Sequence, residues 1–114
     1  MKLMSHEKLT VYQKSIHFLA ISSNIIKEMP RGNSSLCDQL KRASLSIILN
    51  IAEASGKTTK LDNKKFFAIA RGSALECAAV MDACRILKLS NTKNSDDGKK
   101  VLFEIVSMLT CLCR

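Results

Sequence analysis

The chain has 114 residues, 46% of them apolar and 25% charged, a balance that suits one globular domain and excludes a disordered segment. Its formal charge of +8 favours acidic partners, nucleic acid first among them, while aromatics at 4% with no Trp leave little for base stacking on exposed rings. One proline and four glycines are too few turn residues for a many-stranded fold and point to a few long helices.

Met1 to Leu9 lacks the apolar run of a signal peptide. The 3.6-residue period then predicts a first helix over 11–29. Thr10 followed by Gln13 reads as a capping box. Tyr12, Ile16, Leu19 and Ile26 share one face, widened by Val11, Phe18 and Ile25. Met29-Pro30-Arg31-Gly32 stops the helix, because a proline disfavours helical geometry in the residue before it.

A second helix is predicted over 35–55, with Asn33 or Ser34 as N-cap and Gly56 closing it in a left-handed turn. Leu36, Leu40, Ala43, Ile47, Ile51 and Ala54 form one apolar stripe. Leu45, Ile48, Leu49 and Ala52 form another on a different side. A lone bundle hides only one such stripe, so Leu45, Ile48, Leu49 and Ala52 are the expected interface of a homo-oligomer. The most apolar stretch, Ala43 to Ala54, is broken by Ser44, Ser46, Asn50 and Glu53, and is too short and polar to cross a membrane.

The connection from Lys57 to Lys65 carries four lysines against Asp62. A third helix is predicted over 62–89, with Phe66, Ile69, Ala70, Ser73, Cys77, Val80, Cys84 and Leu87 on its apolar face. Ala68, Gly72, Ala79 and Ala83 form a small-residue flank suited to close helix approach. A fourth helix, capped by Ser95 and with Asp96 and Asp97 near its positive end, is predicted over 95–113. Helices of this length joined by short loops pack up-down-up-down as an antiparallel four-helix bundle, an all-α fold. The five cysteines are odd in number and show no C-x-x-C spacing, so they read as small apolar residues of a reducing cytoplasm rather than a disulfide framework or zinc site.

Gln39-Leu40-Lys41-Arg42-Ala43, Ser46-Ile47 and Asn50-Ile51-Ala52-Glu53, together with Phe66 and Ile69-Ala70-Arg71-Gly72-Ser73-Ala74-Leu75-Glu76, resemble a known family. So does the opening Leu9-Thr10-Val11-Tyr12-Gln13-Lys14. The family is the four-helix bundle proteins encoded in intervening sequences of bacterial 23S ribosomal RNA genes. The resemblance runs from about Leu9 to the C-terminus. It implies an up-down bundle that assembles as a ring-like homopentamer. It further implies kinship with the accessory variability determinant of diversity-generating retroelements, a basic pentamer that binds nucleic acid and a reverse transcriptase. The family usually has glycine after Asn-Ile-Ala-Glu; here Ala54 stands there and glycine waits until Gly56.

Three groups of site residues follow. Arg42, Ser46, Asn50 and Glu53 on the second helix are expected to meet Ser73 and Glu76 on the third in a structural polar seam, with Glu76 buried beside arginine. No metal-ligand spacing, activated nucleophile or phosphate loop accompanies Glu53 and Glu76, so neither catalysis, metal nor cofactor is expected. His17 lies on the polar side of the first helix, without a second ligand at helical spacing. Lys57, Lys60, Lys64, Lys65 and Arg71 are the candidate contacts to RNA or DNA. The alternative is a protein scaffold, such as an accessory subunit of a reverse transcriptase, whose charge serves steering alone.

Overall fold

The computed structural model describes residues 2–114. Among them it has four α-helices and no strand: α1 (Thr10–Glu28), α2 (Ser34–Ser55), α3 (Lys60–Ile86) and α4 (Thr92–Leu112), with a turn of 3-10 helix, Ser5–Lys8, ahead of α1. Connections of four or five residues force each helix back along its predecessor. Cross-helix bonds fix the antiparallel sense. Asn63 Nδ2 donates to the Ala54 carbonyl at 2.9 Å, while Ser46 meets Ser73 further along the same α2–α3 pair. Arg71 reaches Thr110, and Lys99 reaches Asp82, along α3–α4. Lys14 pairs with Glu104 at 2.6 Å along α1–α4, holding that carboxyl below its ordinary range. Each helix thus packs on the next, and α1 closes on α4.

The core differs from the hydropathy pattern in an instructive way. On α1 the buried residues are Val11, Ser15, Phe18, Ser22 and Ile25, whereas Ile16 is 42% exposed. The sequence places Tyr12 and Ile16 at the centre of the face because serine counts as polar. These serines satisfy their hydroxyls inside the helix: Ser15 Oγ donates to the Val11 carbonyl at 2.7 Å and Ser22 Oγ to the Leu19 carbonyl at 3.0 Å. Once satisfied, a hydroxyl is cheap to bury, and its small size lets a neighbouring helix close in. Ser44 of α2 does the same, donating to Leu40 at 2.6 Å and meeting Ser22 at 3.1 Å. The expected α2 stripe is the core: Leu40, Ala43, Ile47, Ile51 and Ala54 are all buried.

On α3 the buried line is Phe67, Ala70, Ala74, Cys77, Val80, Met81 and Cys84. Phe66 is only partly buried, while Ile69 and Leu87 are exposed, which corrects the predicted face by a partial turn. The helix ends differ too. Thr10 makes no capping box; Gln13 Nε2 donates instead to the Glu7 carbonyl. Gly56 is right-handed, with φ −89, rather than a left-handed cap. Thr59 caps α3 by accepting from the Asp62 amide at 3.2 Å. At the other end Lys88 takes φ 57, and the Leu89 amide reaches back to the Cys84 carbonyl at 2.8 Å, a left-handed closure made without glycine. Asn91, not Ser95, caps α4, accepting from the Asn94 amide at 2.8 Å.

Ser95 therefore lies inside the first turn of α4, where its Oγ is buried without a partner. An unpaired buried hydroxyl costs desolvation and returns nothing. Ser95→Ala is expected to raise stability by about 1 kcal/mol. Urea unfolding measures this, and a loss of stability would show that the hydroxyl has found a partner.

The five cysteines are free; Cys77 and Cys84 are buried, Cys37 and Cys113 half-buried, and Cys111 is exposed. Burial pushes the Cys77 thiol up to about 12, the nearby Ser44 hydroxyl opposing and Glu76 reinforcing the shift. Cys84 moves upward as well, again chiefly through burial. An unfolded thiol ionises near 9.0, so the native state holds protons that the unfolded chain releases. Stability linked to Cys77 is complete below that value and falls above it, by about 1.4 kcal/mol per pH unit at most. Denaturant unfolding of wild type and Cys77→Ala between about pH 8 and 10.5 should show the steeper decline in wild type. Parallel declines would refute the assignment to this thiol.

Candidate functional site

The α2–α3 connection gathers positive charge by position. Lys60, Lys64 and Lys65 fall within the first two turns of α3, the positive end of its dipole. A lysine in the first turn, such as Lys60, is unfavourable by about 0.3–1 kcal/mol, an effect that falls off beyond that turn. Among the described residues none of the three pairs with a carboxylate. Lys57 is engaged: its Nζ lies 3.3 Å from Glu53 Oε2 and 4.8 Å from the centre of the Phe66 ring. Lys65 approaches the same ring at 5.9 Å. Arg71 stands apart from the lysines, half-buried, with Nε donating to Thr110 Oγ1 at 2.8 Å. Helix order brings Lys8, ahead of α1, and Arg114, beyond α4, to this same end of the bundle. Neither stands out in sequence, because their proximity to the lysine turn is set by topology alone.

The polar seam forms in part. Ser46 and Ser73 share a hydrogen bond of 2.7 Å across α2 and α3, and Asn50 Nδ2 donates to the Ser46 carbonyl at 2.8 Å and to its hydroxyl at 3.1 Å. Arg42 and Glu76 face the same groove of about 320 Å³, with Gln39 at its rim, but they form no ion pair. Glu76 is exposed rather than buried, and Glu53 turns away to Lys57. The expectation of a carboxylate held inside by arginine is therefore corrected: long side chains on an open groove reach water and avoid the desolvation that pairing would have to offset. Among the described residues no group of three His, Cys, Asp or Glu is placed to hold a metal.

The second α2 stripe divides. Leu45 and Leu49 are exposed, at 38% and 61%, and Ala52 is half-buried, but Ile48 is only 7% exposed and already belongs to the bundle. Leu45 borders an apolar groove of about 370 Å³ between α1 and α2, floored by Leu19 and Ile26 and edged by Lys27 and Lys41. With Ile16 this makes a greasy α1–α2 face that the isolated subunit leaves in water.

Residues 7–111 match the family described as 23S rRNA-intervening sequence protein, a span holding nearly all of the four helices. The chain belongs to the 23S rRNA-intervening sequence protein family. A crystal structure of a protein of unknown function from the S23 ribosomal protein family of Bacteroides thetaiotaomicron superposes with a TM-score of 0.84 at 20% identity, covering 92% of this chain and 99% of that one. At that identity the likeness shows the shared fold alone. No curated protein matches. The lysine turn, the Ser46–Ser73 seam and the α1–α2 face all lie within the span this 23S rRNA-intervening sequence protein shares with its family; Arg114 lies outside it. No helix is long and apolar enough to cross a membrane among the described residues.

Proposed function

We propose that this 23S rRNA-intervening sequence protein acts without catalysis, as a self-associating basic protein of the cytoplasm that binds RNA or DNA through the α2–α3 end of its bundle. The supporting observation is the placement of Lys60, Lys64 and Lys65, unpaired, at the positive end of α3. No carboxylate of the fold pairs with these charges, whereas a phosphate backbone would neutralise all three. Copies associate through Leu45, Leu49 and Ala52 on the α1–α2 face, and the family resemblance makes a ring of five the expected assembly. A ring would repeat the lysine end on every subunit and multiply its avidity. Gel shifts across a salt series test the reading, with wild type set against the triple variant Lys60→Glu, Lys64→Glu, Lys65→Glu. Equal binding by the two proteins removes the lysine end from consideration.

The exposed α1–α2 groove supports a second reading, in which the assembly is a scaffold for a protein such as a reverse transcriptase. A pull-down repeated after nuclease digestion separates the two: a direct protein partner stays bound, and one bridged by nucleic acid is lost.

A further inference from the structure

The groove between α2 and α3 is the part of the polar seam that neither the core nor the lysine end uses. Two serines close it at one end: Ser46 and Ser73 meet at 2.7 Å. Arg42 precedes Ser46 and Glu76 follows Ser73, so in an antiparallel pair both stand on the same side of that bond. Gln39 and Arg42 form the α2 lip, Glu76 forms the α3 lip, and the space between is about 320 Å³. Ala43 lies in the lining as well, and its single methyl leaves that space open.

The two hydroxyls at the closed end have no proton to spare. Asn50 Nδ2 donates to Ser46 Oγ at 3.1 Å, which turns the Ser46 proton towards Ser73. Ser73 Oγ in turn donates to the Ile69 carbonyl at 3.2 Å. Each hydroxyl oxygen has two lone pairs and spends one on the bond it accepts. What both offer the groove is therefore a lone pair. Together with the Glu76 carboxylate they make this side a place for a cationic donor. The other side is the reverse. Arg42 presents a planar fork of N–H groups that matches a carboxylate, and Gln39, one turn earlier on α2, adds an amide donor.

Arg42 and Glu76 thus hold opposite charges on the two lips without pairing, and among the described residues neither has another ion-pair partner. A guest with one charge meets its like: a simple anion meets Glu76, and a simple cation meets Arg42. A guest with both charges satisfies the two lips at once. Ala43 is the one apolar residue of the lining, so a greasy side chain gains no cover and a nucleobase finds no ring to stack on. We propose that this groove binds a small zwitterion, an α-amino acid or dipeptide with no charge on its side chains. Its carboxylate lies on Arg42 and Gln39, and its ammonium lies between Glu76 and the serine hydroxyls. The site shares no residue with the lysine end or with the Leu45–Leu49 face, so it does not depend on the nucleic-acid reading.

Titration calorimetry of the full chain with L-serine and with diglycine tests this, the two probes carrying the same charges at short and long spacing. At least one should saturate with a dissociation constant of about 1 mM or tighter, and the tighter of the two tells amino acid from dipeptide. Deleting either charge of that probe should weaken binding about tenfold or more. The analogues are ethanolamine and β-hydroxypropionate for L-serine, and diglycinamide and N-acetyldiglycine for diglycine. Arg42→Gln and Glu76→Gln should each weaken the intact probe to the same degree. Both side chains are exposed, so thermal unfolding should not move in either variant. No saturation by either probe up to about 20 mM overturns the site. An amine analogue that binds as well as the zwitterion reduces it to a cation contact at Glu76, and an acid analogue that does so reduces it to an anion contact at Arg42; either overturns the proposal. Wild-type affinity in either variant places the guest elsewhere and overturns it too.

Discussion

Replacing Lys60, Lys64 and Lys65 with glutamate is expected to weaken binding to RNA or DNA roughly a hundredfold at physiological salt and to flatten its salt dependence. Each phosphate contact releases condensed counterions, so losing three contacts should lower the slope of log K against log salt by about 3 on a duplex. The substitutions also add three negative charges to a patch whose helix end favours anions, which lowers the field along with the contacts. These lysines form no ion pair, so little of the fold is at stake and circular dichroism should not change. The matched control reverses Arg31, Lys93 and Lys100, which are exposed and belong to the opposite half of the bundle, away from the α1–α2 groove. Both variants lose the same net charge. If binding follows overall charge, both fall together; if it follows the α2–α3 end, only the first does. Equal losses would therefore defeat the localisation while leaving binding itself intact.

The number and order of helices were legible in sequence because long periodic segments are separated by Met29–Asn33, Gly56–Thr59 and the polar turn after Leu87. Which way each helix faces was less so. On α2 the apolar stripe is unbroken and the reading holds. On α1 the true stripe passes through Ser15 and Ser22, whose hydroxyls bond to their own helix, and a scale that prices every serine as polar rotates the face toward Ile16. Alanine does the same on α3: Ala70 and Ala74 line the core and Ala68 and Ala79 line the surface, so composition cannot choose between the faces. The basic turn was visible as a run of lysines, but its relation to a helix end needed the boundary at Lys60. The Ser46–Ser73 bond could be anticipated from two serines on facing helices. The openness of the Arg42–Glu76 groove could not, since it depends on how far apart α2 and α3 hold those long side chains.

Gly98→Val is expected to destabilise the bundle by about 2 kcal/mol, and the reason lies in three side chains from two other helices. Gly98 is buried in the first half of α4. A Cβ there would stand 2.8 Å from Met81 Cε, and 3.5 Å from both Ile21 Cγ2 and Phe18 Cε1. Alanine alone is tolerable: the helix gains about 1 kcal/mol over glycine, and the flexible tip of Met81 can give by the small amount required. Valine adds two further carbons on a stiff, branched Cβ, and Met81 and Phe18 beside it are both fully buried, so the shift required of them is larger than alanine demands. The glycine thus sets how closely α4 can lie on α1 and α3. Shortening the opposing side chain tests this directly. Met81→Ala should cost about 2–5 kcal/mol in the wild type, and less by about 1 kcal/mol or more when valine at 98 fills part of the space. A urea double-mutant cycle measures that difference. Additive losses would mean that Gly98 and Met81 do not share the space, and the close approach of α4 would then need another cause.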